Sequence, residues 1–243
     1  MKKILILLIS LTITLPVFAG EGNRFVFTQL KYDGKWDPYP ETWQDILEFL
    51  ATTTNIILAQ NRRVITIYDS ALFSSPFLVI LGNGGFPRFD SRQTELFRRY
   101  VSNGGMVFVE DSTGLKGSQF DSQFRSELSR IFPEKRLVKL EMGHPLFRAY
   151  YLLRKIGGRR ITNNYLEGMD FAGRIGIVYS QNDLIGAWAK DRFGNYLWDC
   201  VPGGENQRFE AQKLTLNLIM YIVTGTYKSD AIHQPYIQMK LRR

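Results

Sequence analysis

Glu110, Asp111 and Ser112 follow one another directly after the apolar run "MVFV". Two carboxylates at a strand end can hold a hard cation, or one can serve as a base if its surroundings raise its pKa. Asp183, in "SQNDLIGAW" after "RIGIVY", is a third carboxylate in the same kind of position. The same side chains can equally cap helices and accept from loop amides, because acidic residues are common at helix starts. Ser112 stands where a nucleophile elbow would place a serine, yet "VEDSTG" lacks the flanking glycines of G-x-S-x-G. His144 in "GHPLF" is a candidate general base, or a structural histidine fixed ahead of Pro145. His144 and His233 are the only two histidines, which argues against a zinc site built on histidines.

A second group of residues suits binding rather than bond breaking. "GNGGF" (Gly82, Asn83, Gly84, Gly85, Phe86) follows "FLVIL". Glycines there let a ligand approach the backbone, or simply make a tight turn. The run matches neither a dinucleotide fingerprint nor a P-loop, so it names no cofactor. Asn182 and Asp183 offer polar atoms in a neighbouring loop. Trp36, Trp188 and Trp198 fall in or near loops, where an indole can stack on a flat ligand or cover a sheet edge. Cys200 is the single cysteine and lies in "WDCVPGG", outside any strand-turn-helix elbow.

These residues need a frame. "RFVFTQLKY" alternates and reads as a first strand, and "RRVITI" as a second. "FLVIL" and "MVFVE" are continuous apolar runs, as parallel strands buried on both faces require. "RLVKLEM" reads as a further strand, and "RIGIVYS" (Arg174–Ser180) as one paired with the segment around Tyr165–Met169. Helices are expected where apolar residues recur at helical spacing. One carries Trp43, Ile46, Leu47 and Leu50, and the next Leu96, Phe97, Tyr100 and Val101, capped by Asp90 or Ser91. A third carries Phe120, Phe124, Leu128 and Ile131, closed by Pro133. A long helix is expected from Glu205 to Thr224. The closing "PYIQMKLRR" reads as an edge strand. Strands alternating with helices imply an α/β domain of three layers, with a doubly wound, mostly parallel sheet. Ligands in such sheets collect at the carboxyl ends of the strands. There the loops "DGKWDPY", "GNGGF", "EDSTG", "SQNDLIGAW" and "GHPLF" are expected to converge.

At 243 residues, 44% of them hydrophobic, the chain can bury one sizeable core. Residues 1–19 join a basic head (Lys2, Lys3), a short apolar stretch (Ile4 to Leu15) and Val17-Phe18-Ala19. This is the pattern of a secretory signal peptide cleaved after Ala19, which leaves residues 20–243 as one domain in the periplasm or outside the cell. One cysteine permits no internal disulfide. The net charge of +8 is spread over scattered Arg pairs, not gathered into a basic run interleaved with aromatics. That distribution argues against nucleic acid and favours loose attraction to anionic lipid or cell-wall polymer.

Taken together, "FTQLKY", "PFLVILGNGGF", "LFRRYVSNGGMVFVEDS", "FDSQFRSELSRIFPE", "HPLF" and "VYSQNDLIGAW" resemble a bacterial family defined only as a domain of unknown function. The family is similar to the class I glutamine amidotransferase-like superfamily. The resemblance implies a flavodoxin-like sheet, frequent export, and association with membrane proteins of the aerotolerance-regulator type. It marks Gly82, Gly85, Asp111, His144 and Asp183 as the shared motif positions. Amidotransferases need a cysteine at a strand-to-helix elbow, and this chain has none. Many relatives carry histidine where this chain has Asn83.

Two readings follow. In the first the chain is a non-catalytic domain that binds a small ligand or a membrane-associated or cell-envelope protein. Its binding residues would be Gly82, Asn83, Gly84, Gly85, Asp111, Asn182, Asp183 and Trp188. In the second it is a hydrolase, using Ser112 with His144 or a metal on Glu110, Asp111 and Asp183. The second requires Ser112 and His144 in contact, or the three carboxylates converging.

Overall fold

A computed structural model describes residues 24–228. The signal-peptide reading and the expected closing strand lie outside the described residues. Seven strands form one sheet: β1 (Thr28–Leu30), β2 (Arg63–Ile65), β3 (Phe77–Gly82), β4 (Met106–Asp111), β5 (Val138–Lys139), β6 (Glu167–Phe171) and β7 (Arg174–Ser180), in the order β2-β1-β3-β4-β7-β6-β5. The pairs from β2 through β7 are parallel, and β6 runs antiparallel to both its neighbours. The β6–β7 hairpin turns through Ala172 and Gly173, both at positive φ.

β3 and β4 are buried along their whole length, as unbroken apolar runs require. Successive side chains alternate between the two faces. Phe77, Val79 and Leu81 join Phe108 in one core with α1 (Thr42–Thr53) and α4 (Gly204–Lys228). Leu78, Ile80, Val107 and Val109 join the other, with α2 (Ser91–Ser102) and α3 (Gln119–Ile131). The sheet is therefore covered by two helices on each face. Asp90 and Gln93 close a reciprocal capping box at the start of α2, and Ser118 caps α3.

Two departures from expectation have physical causes. "RLVKLEM" yields a strand of only two residues, both exposed, because it sits at the sheet edge with pairing on one side. After it, residues 145–166 form no regular element beyond a short 3-10 turn (Pro145–Arg148) and the approach to β6. This strap runs back along α4 and is held by amide side chains. Asn217 accepts from the Tyr151 amide at 2.7 Å and donates to the carbonyls of Leu146 and Tyr151. Gln207 donates to the Gly158 carbonyl at 2.6 Å. Asn182 accepts from the amides of Thr162 and Asn163 at 2.8 and 2.9 Å.

Candidate functional site

The carboxyl ends of β1, β3, β4 and β7 meet at one edge. The Ser112 amide donates to the Gly82 carbonyl at 2.8 Å, and the Asn83 amide to the Lys35 carbonyl at 3.4 Å. Tyr39, from the loop after β1, reaches over the edge. Its hydroxyl lies 2.9 Å from each Asp183 oxygen and 3.3 Å from the Ser112 carbonyl. Arg159, from the strap, donates to Asp183 through Nε and to the Thr113 carbonyl at 3.3 Å. Gly186 adds its amide to Asp183 at 3.2 Å. Asp183 itself has φ +53°, a left-handed conformation that aspartate tolerates better than most residues. Its backbone carbonyl accepts from the Arg159 amide at 2.9 Å, so Asp183 and Arg159 are joined twice.

Glu110 and Asp111 are adjacent in β4 and therefore face opposite sides of the sheet. Glu110 enters the α4 side and accepts from the amides of Leu184 and Ile185. Asp111 enters the α3 side. One oxygen accepts from the Thr113 amide at 3.0 Å and the Thr113 hydroxyl at 2.7 Å, and the other accepts from Ser118. The three carboxylates therefore do not share one centre. No group of three His, Cys, Asp or Glu side chains is arranged for a metal ion among the described residues. The pair that does interact is Glu110 with Asp183, both fully buried. Burial and the neighbouring Asp183 charge push Glu110 well above the usual carboxylate range. Burial likewise raises Asp183 to about 6, although Arg159, Tyr39 and the Gly186 amide pull the other way. The Tyr39 phenol is raised by burial and by the Asp183 charge.

Ser112 is buried, and its Oγ has no hydrogen-bond partner among the described residues. His144 is elsewhere. It begins the 3-10 turn at Pro145, accepts from the Leu146 amide through Nδ1 at 3.2 Å, and packs on Tyr221 at 5.5 Å between ring centres. The Tyr221 hydroxyl bonds Ile175, at the start of β7, whereas Ser112 follows the end of β4. The expected Ser112–His144 pair is not assembled, and "GHPLF" does not join the other four loops. Burial and nearby Arg148 also lower the His144 pKa.

The expected binding residues divide. Gly82, Asp111, Asn182, Asp183 and Trp188 are buried and internally engaged. A Cβ at Gly82 would lie 2.2 Å from Tyr32 Oη and 2.4 Å from the Phe120 ring, so this glycine makes room for packing. Trp188 is core: its Nε1 donates to Thr215 at 3.0 Å and its ring meets Phe49. Trp36 is half-buried and flanked by Arg62 and Lys31. Asn83 is exposed, with Gly84 and Gly85 partly so. Cys200 is buried, and burial raises its thiol pKa.

Sequence reasoning missed Arg159 and Tyr39, and it left Trp198 open between stacking on a ligand and covering a sheet edge. Trp198 is 42% exposed and stands over the edge, 5.2 Å from the Arg159 guanidinium and 5.7 Å from the Tyr39 ring. Its carbonyl is held by buried Arg208 at 2.7 Å. It belongs to a hairpin-like excursion in which Lys190 bridges Tyr196 and the Leu197 amide bonds the Ala189 carbonyl. Arg159 enters the sequence reading only within the scattered Arg pairs, and Tyr39 only as the last residue of the "DGKWDPY" loop. The only sequence signal for either was its place between two breaks in periodicity.

An α/β sheet with a buried, arginine-clamped carboxylate pair at its carboxyl edge is the class of protein that this geometry defines. The chain belongs to the domain-of-unknown-function family DUF4159, whose model matches residues 26–223. A search of curated proteins returns no match. No helix among the described residues is long and apolar enough to cross a membrane.

Proposed function

We propose that the chain is an exported domain that binds a cell-envelope partner or a small ligand without turning it over. The observation that carries this reading is the internal use of the three carboxylates at the strand ends. Glu110 serves two backbone amides, Asp111 serves Thr113 and Ser118, and Asp183 is closed by Tyr39 and Arg159. Such groups position loops, and none is left facing a substrate with a base beside it. Above them stands an aromatic and cationic rim of Trp198 and Arg159, with Phe193 and Leu197 exposed on the same excursion. Tryptophan and arginine are the residue types that dominate binding energy at protein surfaces.

The order β2-β1-β3-β4-β7 of the parallel strands supports a flavodoxin-like relationship, since that fold orders its five strands 2-1-3-4-5. The amidotransferase-like reading adds an elbow without its cysteine. Export rests on Lys2, Lys3, the Ile4–Leu15 stretch and Val17-Phe18-Ala19.

The test is site-specific crosslinking in the living cell. A photoreactive residue at position 198 is expected to give a discrete adduct, and one at position 92 none. A hydrolytic activity lost in Ser112→Ala, or adducts equally frequent at both positions, would overturn the reading. Intact mass of the exported chain tests cleavage after Ala19.

A further inference from the structure

We infer that the β5 edge carries a second binding site, separate from the strand-end rim, for a phosphate-bearing ligand with a compact ring or apolar body. A cavity of about 390 Å³ opens between the end of β5 and the strap. That volume lies in the range of pockets that hold small ligands. Its charged lining is Lys139, Arg154, Lys155 and Glu141. Three cations against one carboxylate leave a lining charge of +2, opposite in sign and close in magnitude to the charge of a phosphate monoester at neutral pH.

The cations are not balanced among the described residues. Glu141 lies 3.4 Å from Lys139, and that pair is largely exposed. Arg154 and Lys155 have no hydrogen-bond or ion-pair partner among the described residues. Their backbone is nonetheless fixed, because buried Leu153 and Ile156 anchor the strap on either side of them. The two side chains therefore branch from fixed backbone positions, so binding pays for ordering the side chains alone. An arginine fork beside ammonium groups matches phosphate oxygens in both geometry and charge. The rest of the lining suits the body of the ligand: Leu140 and Ile156 form an apolar floor, and Tyr165 offers a ring already faced by Lys139 at 5.8 Å. A sugar phosphate and a phospholipid headgroup share this chemistry.

Titration calorimetry of the chain with glucose 6-phosphate and with glucose, and sedimentation with phosphatidylcholine vesicles with and without phosphatidylglycerol, test the site and its source of phosphate. Glucose 6-phosphate is expected to bind saturably and glucose not. Arg154→Gln combined with Lys155→Gln should weaken binding about tenfold or more, since it removes two charge-assisted contacts. Arg92→Gln combined with Lys116→Gln removes the same charge from exposed positions elsewhere and should change affinity less than twofold. Circular dichroism checks that both double variants are folded. Phosphatidylglycerol-dependent sedimentation that needs Arg154 and Lys155, without binding of the soluble ester, would support the site and assign its phosphate to lipid. Equal loss in the two double variants, or no saturable binding of any phosphate probe, would overturn the inference.

Discussion

Asp183→Asn should change how stability depends on pH more than it changes stability itself. In the folded chain Asp183 holds its proton up to about 6, against an ordinary 3.8, and Glu110 beside it is raised as well. A folded state that binds more protons than the unfolded one loses stability as pH rises. The contribution of Asp183 is complete below about pH 4 and is lost as pH rises through its folded value near 6, and raised Glu110 acts in the same direction. Converting the two Asp183 values at about 1.4 kcal/mol per tenfold change in proton affinity gives about 3 kcal/mol. His144, lowered by half-burial, contributes in the opposite direction, but it does so equally in both chains. Asparagine keeps an oxygen for the Tyr39 hydroxyl and gives up the Arg159 ion pair. It also removes the charge that raises Glu110. Urea denaturation of both chains at pH 4.5, 6 and 7.5 measures the difference. The parent should lose stability from the lowest pH to the highest relative to the variant, by a sizeable part of that figure. A variant whose stability runs parallel to the parent's across the three pH values would refute the reasoning.

Four further outcomes are expected. Leu96→Ala, in the α2 face buried on the sheet, should cost about 2–5 kcal/mol, and Asp111→Asn about 1–3 kcal/mol, because its carboxylate organises Thr113 and Ser118; both are read by chemical denaturation. Gly158→Ala should destabilise strongly or prevent folding, since the new Cβ would lie 2.3 Å from the Asn182 carbonyl oxygen, and a thermal melt reports it. Cys200 should resist a water-soluble thiol reagent in the native chain and react fully in denaturant, because it is buried and its thiolate is disfavoured.

The elements that a single periodicity describes were legible in the sequence. "FLVIL" and "MVFVE" could only be interior strands, and Leu96, Phe97, Tyr100 and Val101 could only face a sheet. "RLVKLEM" misled because alternation reports one wet and one dry face, whereas strand length depends on having a neighbour to pair with. The strap was illegible for a different reason. Its order comes from Asn182, Gln207 and Asn217, each far away in sequence, and no local pattern announces an amide that will bond a distant backbone. The site suffered the same way. Asp183 was identifiable by its place after a strand, but its partners Tyr39 and Arg159 are 144 residues upstream and 24 residues upstream. Trp188 and Trp198 sit in equally loop-like surroundings, and only the packing of α4 decides which one is core.

The amide staples along residues 145–166 have a consequence for how this chain can vary. An ordinary surface connection absorbs an added or deleted residue by bulging into solvent. Here such a change at the middle of the strap would move one half out of step with Asn217 and the other with Gln207 and Asn182, stranding paired backbone groups at one end or both. The segment is irregular in shape yet as fixed in length as a strand, and its amides should exchange with solvent on the timescale of the sheet. The tip of the excursion, residues 191–195, bonds only within itself among the described residues and is free to differ in length and composition without that penalty.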